Sequence, residues 1–148
     1  MARRAYVVFC VLLMMTSLAP TSASSYDSGG IQASDSTLSI MPSNPSAGGS
    51  IEGSLTLQNT NSQTAFDVQY SFYRNGISTN NRIITSTVTI DANSIETVTA
   101  QWDNLIEGEN KLWVTYSYNG QPEVEFYHSF TVQGLPCLLY TSPSPRDS

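Results

Sequence analysis

From Thr37 to Val132, apolar residues recur at every second position in short runs, and Gly, Asn, Asp and Pro separate the runs. A chain that alternates in this way makes strands with one dry face and one wet face. Leu38 and Ile40 begin a first strand that Pro42 ends, and Asn44 to Gly49 is a turn cluster. The second strand puts Ile51, Gly53, Leu55 and Leu57 on one face and Glu52, Ser54, Thr56 and Gln58 on the other. Asn59 to Thr64 then reads as a polar loop.

The third strand puts Phe66, Val68, Tyr70 and Phe72 inward and Asp67, Gln69, Ser71 and Tyr73 outward. Asn75-Gly76 follows, a pair that tolerates positive φ and predicts a type I′ hairpin. Arg82 to Ile90 is β-branched almost throughout, so a strand is expected, although its inward face is ambiguous. After Asp91-Ala92-Asn93, the run Ser94 to Trp102 turns Val98, Ala100 and Trp102 inward, and Asp103 to Asn110 is an acidic loop. Lys111 to Tyr118 and Glu123 to Val132 flank a second hairpin pair, Asn119-Gly120. Leu112, Val114, Tyr116 and Tyr118 share one face of the former, and Val124, Phe126, His128, Phe130 and Val132 one face of the latter. No segment of helix length carries helical periodicity. About seven antiparallel strands spaced by turns predict an all-β, immunoglobulin-like β-sandwich.

The two ends of the 148-residue chain break the pattern. Met1-Ala2-Arg3-Arg4, the apolar run Ala5 to Met15 and the small residues that follow have the order of a secretory signal peptide over residues 1–23, with cleavage after Ala23. The apolar run is shorter than the ~20 residues a spanning helix needs, so no membrane insertion of the mature domain is expected. Residues 24–36 hold few apolar side chains and read as a flexible leader. Residues 137–148 resemble translated sequencing adapter: Cys137-Leu-Leu-Tyr-Thr-Ser-Pro-Ser-Pro-Arg-Asp147 matches a transposase adapter residue for residue. Such a tail is expected to be adapter read-through without structure of its own, and the natural protein is expected to continue past Pro136. The sandwich is therefore expected over residues 37–133.

Setting the ends aside removes both cysteines, Cys10 and Cys137, so packing alone must hold the core. Between Ser24 and Pro136, three basic residues stand against eleven acidic ones, a net charge of −8. That charge repels phosphate backbones and anionic headgroups, which excludes nucleic acid as a partner.

Catalytic chemistry finds little to work with. His128 is the single histidine and falls on the inward parity of its strand, where a core or rim role accounts for it. No nucleophile elbow and no zinc template occurs. Glu123 and Glu125 lie two apart on one strand face, as solvated carboxylates do. Asp103, Glu107 and Glu109, with Asn110, crowd one loop and form a candidate calcium site, though without the spacing of a calcium-binding loop. No catalytic residue and no cofactor is expected.

The aromatic residues are more informative. Tyr73, Trp113 and Tyr127 all point opposite to the apolar faces of their strands, and those strands are neighbours in an immunoglobulin-like sheet. They predict one exposed patch with Gln69, Thr115 and Ser117 beside it, suited to stacking a sugar or docking a protein. Packing against the leader or a neighbouring domain is the competing account of the same residues.

Pro45-Ser-Ala-Gly-Gly-Ser-Ile51 leading to Leu55-Thr-Leu-Gln-Asn-Thr60 resembles the opening of the CARDB fold, the cell-adhesion-related domain of bacterial and archaeal surface proteins. Phe66 to Gly76, Ala92 to Trp102 and Gly108 to Leu112 are similar to its later strands and turns. An acidic lead-in to the last strand, common in the family, is present only in part as Glu123 and Glu125. The resemblance implies a non-catalytic extracellular adhesion or ligand-binding module of a larger surface protein. Its partners would be a surface protein or polysaccharide, together with neighbouring domains of the same chain. An accessory domain of a secreted hydrolase or peptidase, or a structural spacer in a surface-layer or stalk protein, is the alternative.

Overall fold

The computed structural model describes residues 25–135. The expected signal peptide and the adapter-like segment lie outside the described residues. Nine strands form two antiparallel sheets that face each other: β1 Ser25–Ser28, β2 Ile31–Ser34, β3 Leu38–Met41, β4 Ile51–Asn59, β5 Ala65–Arg74, β6 Arg82–Ile90, β7 Ile95–Trp102, β8 Gly108–Ser117 and β9 Val124–Val132. The only helical elements described are two 3-10 turns, Asp35–Thr37 and Thr79–Asn81. No helix among the described residues is long and apolar enough to cross a membrane. The chain is thus an all-β sandwich of immunoglobulin-like architecture, and each of the seven expected strands is present.

In the first sheet β4 is central. It pairs with β7 from Ile51↔Trp102 to Gln58↔Ile95 along one side. On its other side β3 covers Glu52 to Leu55 and β2 covers Gln58 and Asn59, with β1 beyond β2. The second sheet runs β6-β5-β8-β9. Alternation decides what fills the space between the sheets. Ile51, Leu55, Leu57, Val98, Ala100 and Trp102 meet Val68, Phe72, Leu112, Val114, Tyr116, Phe126, Phe130 and Val132, all of them buried. Trp102 packs edge-to-face on Phe130 with ring centroids 5.5 Å apart. Gly53 sits where a Cβ would collide with Leu112 Cδ2, so a bare backbone lets that leucine cross the core.

The structure departs from the sequence reading at four places. Residues 25–34, expected as flexible leader, form the β1–β2 hairpin. Gly29 and Gly30 carry φ of 60° and 88°, the left-handed values a two-residue turn requires, and Ile31 and Ala33 alternate into the core. Polar groups then fasten the hairpin. The buried Ser28 hydroxyl donates to Pro122 O (3.0 Å) and accepts from the Tyr118 N–H (3.2 Å). Thr60 donates to Gly30 O through its N–H (2.9 Å) and its hydroxyl (2.7 Å). The Tyr116 hydroxyl donates to Tyr26 O (2.8 Å), and Tyr26 stacks on Phe126 at 4.4 Å.

The second departure is a bulge in β5. Ala65 pairs with Ile90 and Val68 with Val88, so two β5 residues oppose one on β6, and Asp67 takes φ 57°. The bulge reverses parity at its start. Ala65 is buried, whereas Phe66, expected inward, is 65% exposed. Third, Asn75-Gly76 does not close a two-residue hairpin, because residues 75–81 connect β5 to β6 and include a 3-10 turn. Asn75 instead turns toward β8: its N–H donates to Lys111 O (2.8 Å) and its Oδ1 accepts from Lys111 N–H (2.8 Å). Fourth, Gly108, Glu109 and Asn110 belong to β8 and not to the acidic loop. Asn119-Gly120 does form the expected left-handed turn, with φ of 57° and 69° and the Gln121 N–H donating to Tyr118 O (3.1 Å), but within a longer connection, since β8 ends at Ser117 and β9 begins at Val124.

Candidate functional site

The outer face of the β6-β5-β8-β9 sheet carries a row of large side chains running across the strands. Arg82 pairs with Tyr73, Tyr73 with Trp113, and Trp113 with Tyr127, so one residue from each strand sits side by side. Residues directly opposite in a sheet have Cβ atoms about 5 Å apart, close enough for their rings to touch. Trp113 and Tyr127 do so, with centroids 4.6 Å apart and planes tilted by 44°. Lys111 Nζ lies 4.7 Å from the Tyr127 ring centroid, a cation–π contact. Tyr127 is 43% exposed, and Tyr73 and Trp113 are half-buried.

Small polar residues fill the neighbouring row, in the order Thr85, Ser71, Thr115 and Glu125. The Ser71 hydroxyl donates to Thr85 Oγ1 at 2.8 Å. Thr115 is buried between the larger side chains and its Oγ1 makes no hydrogen bond among the described residues. Thr87, Gln69 and Ser117 form the next row. The surface is therefore an aromatic ridge beside a row of smaller polar side chains, of which Thr85 and Glu125 are exposed and Ser71 and Thr115 are buried.

At the β9 end the ridge opens into a groove of about 420 Å³ lined by Tyr26, Asp35, Trp113, Glu125, Phe126 and Tyr127. The β1–β2 hairpin forms its far wall, because Tyr26 stacks on Phe126 and donates its hydroxyl to Asp35 Oδ1 (2.8 Å). Two carboxylates and four aromatic side chains thus border one opening. Periodicity brings Tyr73, Trp113 and Tyr127 together, as the sequence indicates. It gives no sign of Tyr26 or Asp35, which join the groove only through the hairpin; the Gly29-Gly30 pair between alternating apolar residues is the signal that points to it.

The candidate calcium ligands are not brought together. Asp103 is exposed and accepts from Gln101 Nε2 (2.7 Å), and Glu109 stands on β8 opposite Thr131. Glu107 is exposed beside Gly134. Asn110 is buried, donating through Nδ2 to Ile106 O (2.9 Å) and Gly108 O (3.1 Å) while its Oδ1 accepts from Asn75 Nδ2 (3.0 Å). Its polar atoms are committed to closing the 106–108 turn. No group of three or more His, Cys, Asp or Glu among the described residues is placed to hold a metal ion. His128 is half-buried on the inward parity of β9, opposite Leu112. Burial pushes the Tyr116 phenol well above the ordinary tyrosine range, and the Asp27 carboxylate nearby pushes the same way.

Fold and site together define an immunoglobulin-like module with an aromatic outer sheet face. Among solved structures it is similar to the CARDB domain of the PF1109 protein from Pyrococcus furiosus, determined in complex with di-metal ions. The two share 17% identity at a TM-score of 0.51, over 66% of this chain and 84% of that one. A β-glucosidase from Listeria innocua in complex with isofagomine is matched at 13% identity and TM-score 0.49, over 78% of this chain. The alkylpurine DNA glycosylase AlkC of Pseudomonas fluorescens is matched at 13% identity and TM-score 0.41, over 61% of this chain. This chain spans 17% of the glucosidase and 28% of the glycosylase. No family model matches the chain, and no curated protein matches it in sequence. The likeness is one of fold.

Proposed function

We propose that the chain is a non-catalytic, extracellular ligand-binding module of CARDB type, belonging to a surface protein, and that it binds polysaccharide across the outer face of the β6-β5-β8-β9 sheet. The observation that carries this reading is the single cross-strand row of Tyr73, Trp113 and Tyr127 on the solvent side of the sheet. A sugar ring has an apolar C–H face and an equatorial rim of hydroxyls, so it stacks on aromatics and bonds to short polar groups beside them. Exposed Thr85 and Glu125 in the neighbouring row, with exposed Thr87 and Gln69 and half-buried Ser117 in the row beyond, supply such groups beside the ridge. Extracellular placement rests on the signal-peptide pattern over residues 1–23. The non-catalytic reading rests on the CARDB likeness.

The test is a panel of soluble and insoluble polysaccharides, read by Trp fluorescence and pull-down, on the parent chain and on Trp113→Ala and Tyr127→Ala. Both variants are expected to weaken binding by about tenfold or more while the melting temperature moves only a few degrees. A Trp113→Ala variant that melts far below the parent shows the ring to be structural and overturns the reading. Retention of a protein from the host surface, with no polysaccharide bound, transfers the same face to protein docking.

A further inference from the structure

We propose that β6 is a homodimerisation edge, and that two copies of the chain join their β6 strands antiparallel across a two-fold axis at Ser86 to give one continuous eight-stranded sheet. Among the described residues β6 pairs only with β5, and the other side of this nine-residue strand has no strand beside it there. Natural edges of that length are blunted by Lys, Pro or an inward-pointing charge. From Ile83 to Ile90 this one has none of them, and Ile84, Thr85, Ser86 and Thr87 are exposed.

The sequence of the edge selects a second copy as its occupant. Ile84-Thr85-Ser86-Thr87-Val88 reads apolar, Thr, Ser, Thr, apolar in both directions. Antiparallel pairing about Ser86 therefore sets Thr85 opposite Thr87 and Ile84 opposite Val88 in both halves, like against like. On the inner side, Ile84, Val88 and the half-buried Tyr70 would gain apolar neighbours that the first sheet does not supply, since they lie near its edge.

Charge points the same way. Between Ser24 and Pro136 the chain carries −8, and most of its surface repels a second copy. From Val68 to Ile90 there is no acidic residue, and two of the three basic ones, Arg74 and Arg82, fall in that stretch. It is the longest acid-free interval of the region and the place where two copies approach at least cost. In the same register Arg82 falls opposite Ile90 and Asp91 opposite Asn81, so no like charges face each other across the seam. The contact is isologous and closes at two, so it yields a dimer and not a fibre. The outer faces of the two sheets would then be continuous, which places two aromatic ridges on one surface.

Sedimentation equilibrium of the full chain from micromolar to sub-millimolar concentration tests the seam. The parent is expected to pass from monomer to dimer. Ser86→Lys sets two ammonium groups opposite each other at the axis and is expected to raise the dimer dissociation constant at least about tenfold, as is Ser86→Asp. Mixing the two variants in equal amounts is expected to restore association as a heterodimer, a rescue that a folding defect does not give. A parent that stays monomeric throughout, a dimer indifferent to both substitutions, a mixture that fails to rescue, or open-ended polymers would each overturn the proposal.

Discussion

Asn59 offers the sharpest test of how the frame beneath the binding face is held. Its place at the end of the inward series Ile51, Gly53, Leu55, Leu57 buries it completely, a position where an amide is costly unless every polar atom is paired. Here all of them are. Nδ2 donates to Gln63 O (2.9 Å), Ile90 O (3.0 Å) and Asp91 O (3.2 Å), and Oδ1 accepts from the Asn61 N–H (2.9 Å). One side chain thus ties the loop after β4 to the turn between β6 and β7, joining the two sheets at one end.

Asn59→Ala removes all four bonds. The Gln63 and Asp91 carbonyls are only partly buried and can turn to water, so each costs little. The Ile90 carbonyl bond is buried, and losing it costs about 1–3 kcal/mol. With the remaining bonds at about 0.5–1 kcal/mol each, the expected loss is about 3–4 kcal/mol. For a domain of this size that lowers the melting temperature by about 15 °C. Urea unfolding, followed by the emission of the buried Trp102, should show the midpoint falling with an unchanged slope. Asn59→Asp sets a carboxylate against three carbonyl oxygens and should be worse than alanine at neutral pH. Burial against those oxygens raises the pKa of the folded-state acid above the unfolded value, so stability should recover partly as the pH falls toward about 4 and the protonated acid can donate again. A loss below about 1 kcal/mol for Asn59→Ala would refute the reasoning, because those groups would then be satisfied without Asn59.

The other predictions concern single contacts. Gly53→Ala, whose new methyl collides with the buried Leu112, should cost about 2 kcal/mol in urea unfolding, and Leu112→Ala in the same chain should cost less than it does alone. Thr115→Val replaces a buried hydroxyl that has no partner among the described residues, and should raise stability by about 1 kcal/mol; a loss of that size would show the hydroxyl to be bonded. Tyr116 has its phenol pushed up, so its protonated form is the one the fold favours. Its contribution is complete below the ordinary tyrosine value of about 10 and declines as pH rises beyond it, and Tyr116→Phe should flatten that alkaline slope in a stability–pH profile. Deleting residues 25–34 uncovers Phe126 and Tyr116 and should lower the melting temperature by about 10 °C or more, whereas a removable tail would leave it unchanged.

Period two was enough to recover the seven strands of the sandwich and the shared face of Tyr73, Trp113 and Tyr127. Alternation fixes parity within a strand, and sandwich connectivity fixes which strands are neighbours. What it could not supply is any feature that depends on an interruption of the period. The bulge at Phe66-Asp67 is one such feature. An aspartate at φ 57° turns Phe66 to solvent, yet its alternating neighbours look unbroken in the sequence. Asn75 is another. Its preference for positive φ was legible, but not that its side chain would be committed to Lys111 and Asn110 on the neighbouring strand.

The hairpin at residues 25–34 shows why composition misleads at a domain's margin. With Ile31 and Ala33 as its fully inward apolar residues, it could not bury enough surface to fold by itself. It is ordered because a finished sandwich already offers Phe126 for Tyr26 to stack on, the Tyr116 hydroxyl, and the backbone groups of Tyr118 and Pro122 for Ser28. Order in that segment is a property of the docking surface as much as of its own residues. The same holds for the site, since Asp35 and Tyr26 reach the groove only because the hairpin docks. A ligand that spans the groove would therefore touch two elements whose mutual position depends on the Tyr26–Phe126 stack. Phe126→Ala should then weaken such a ligand twice over, by removing a ring that lines the groove and by releasing the Tyr26 wall that stacks on it.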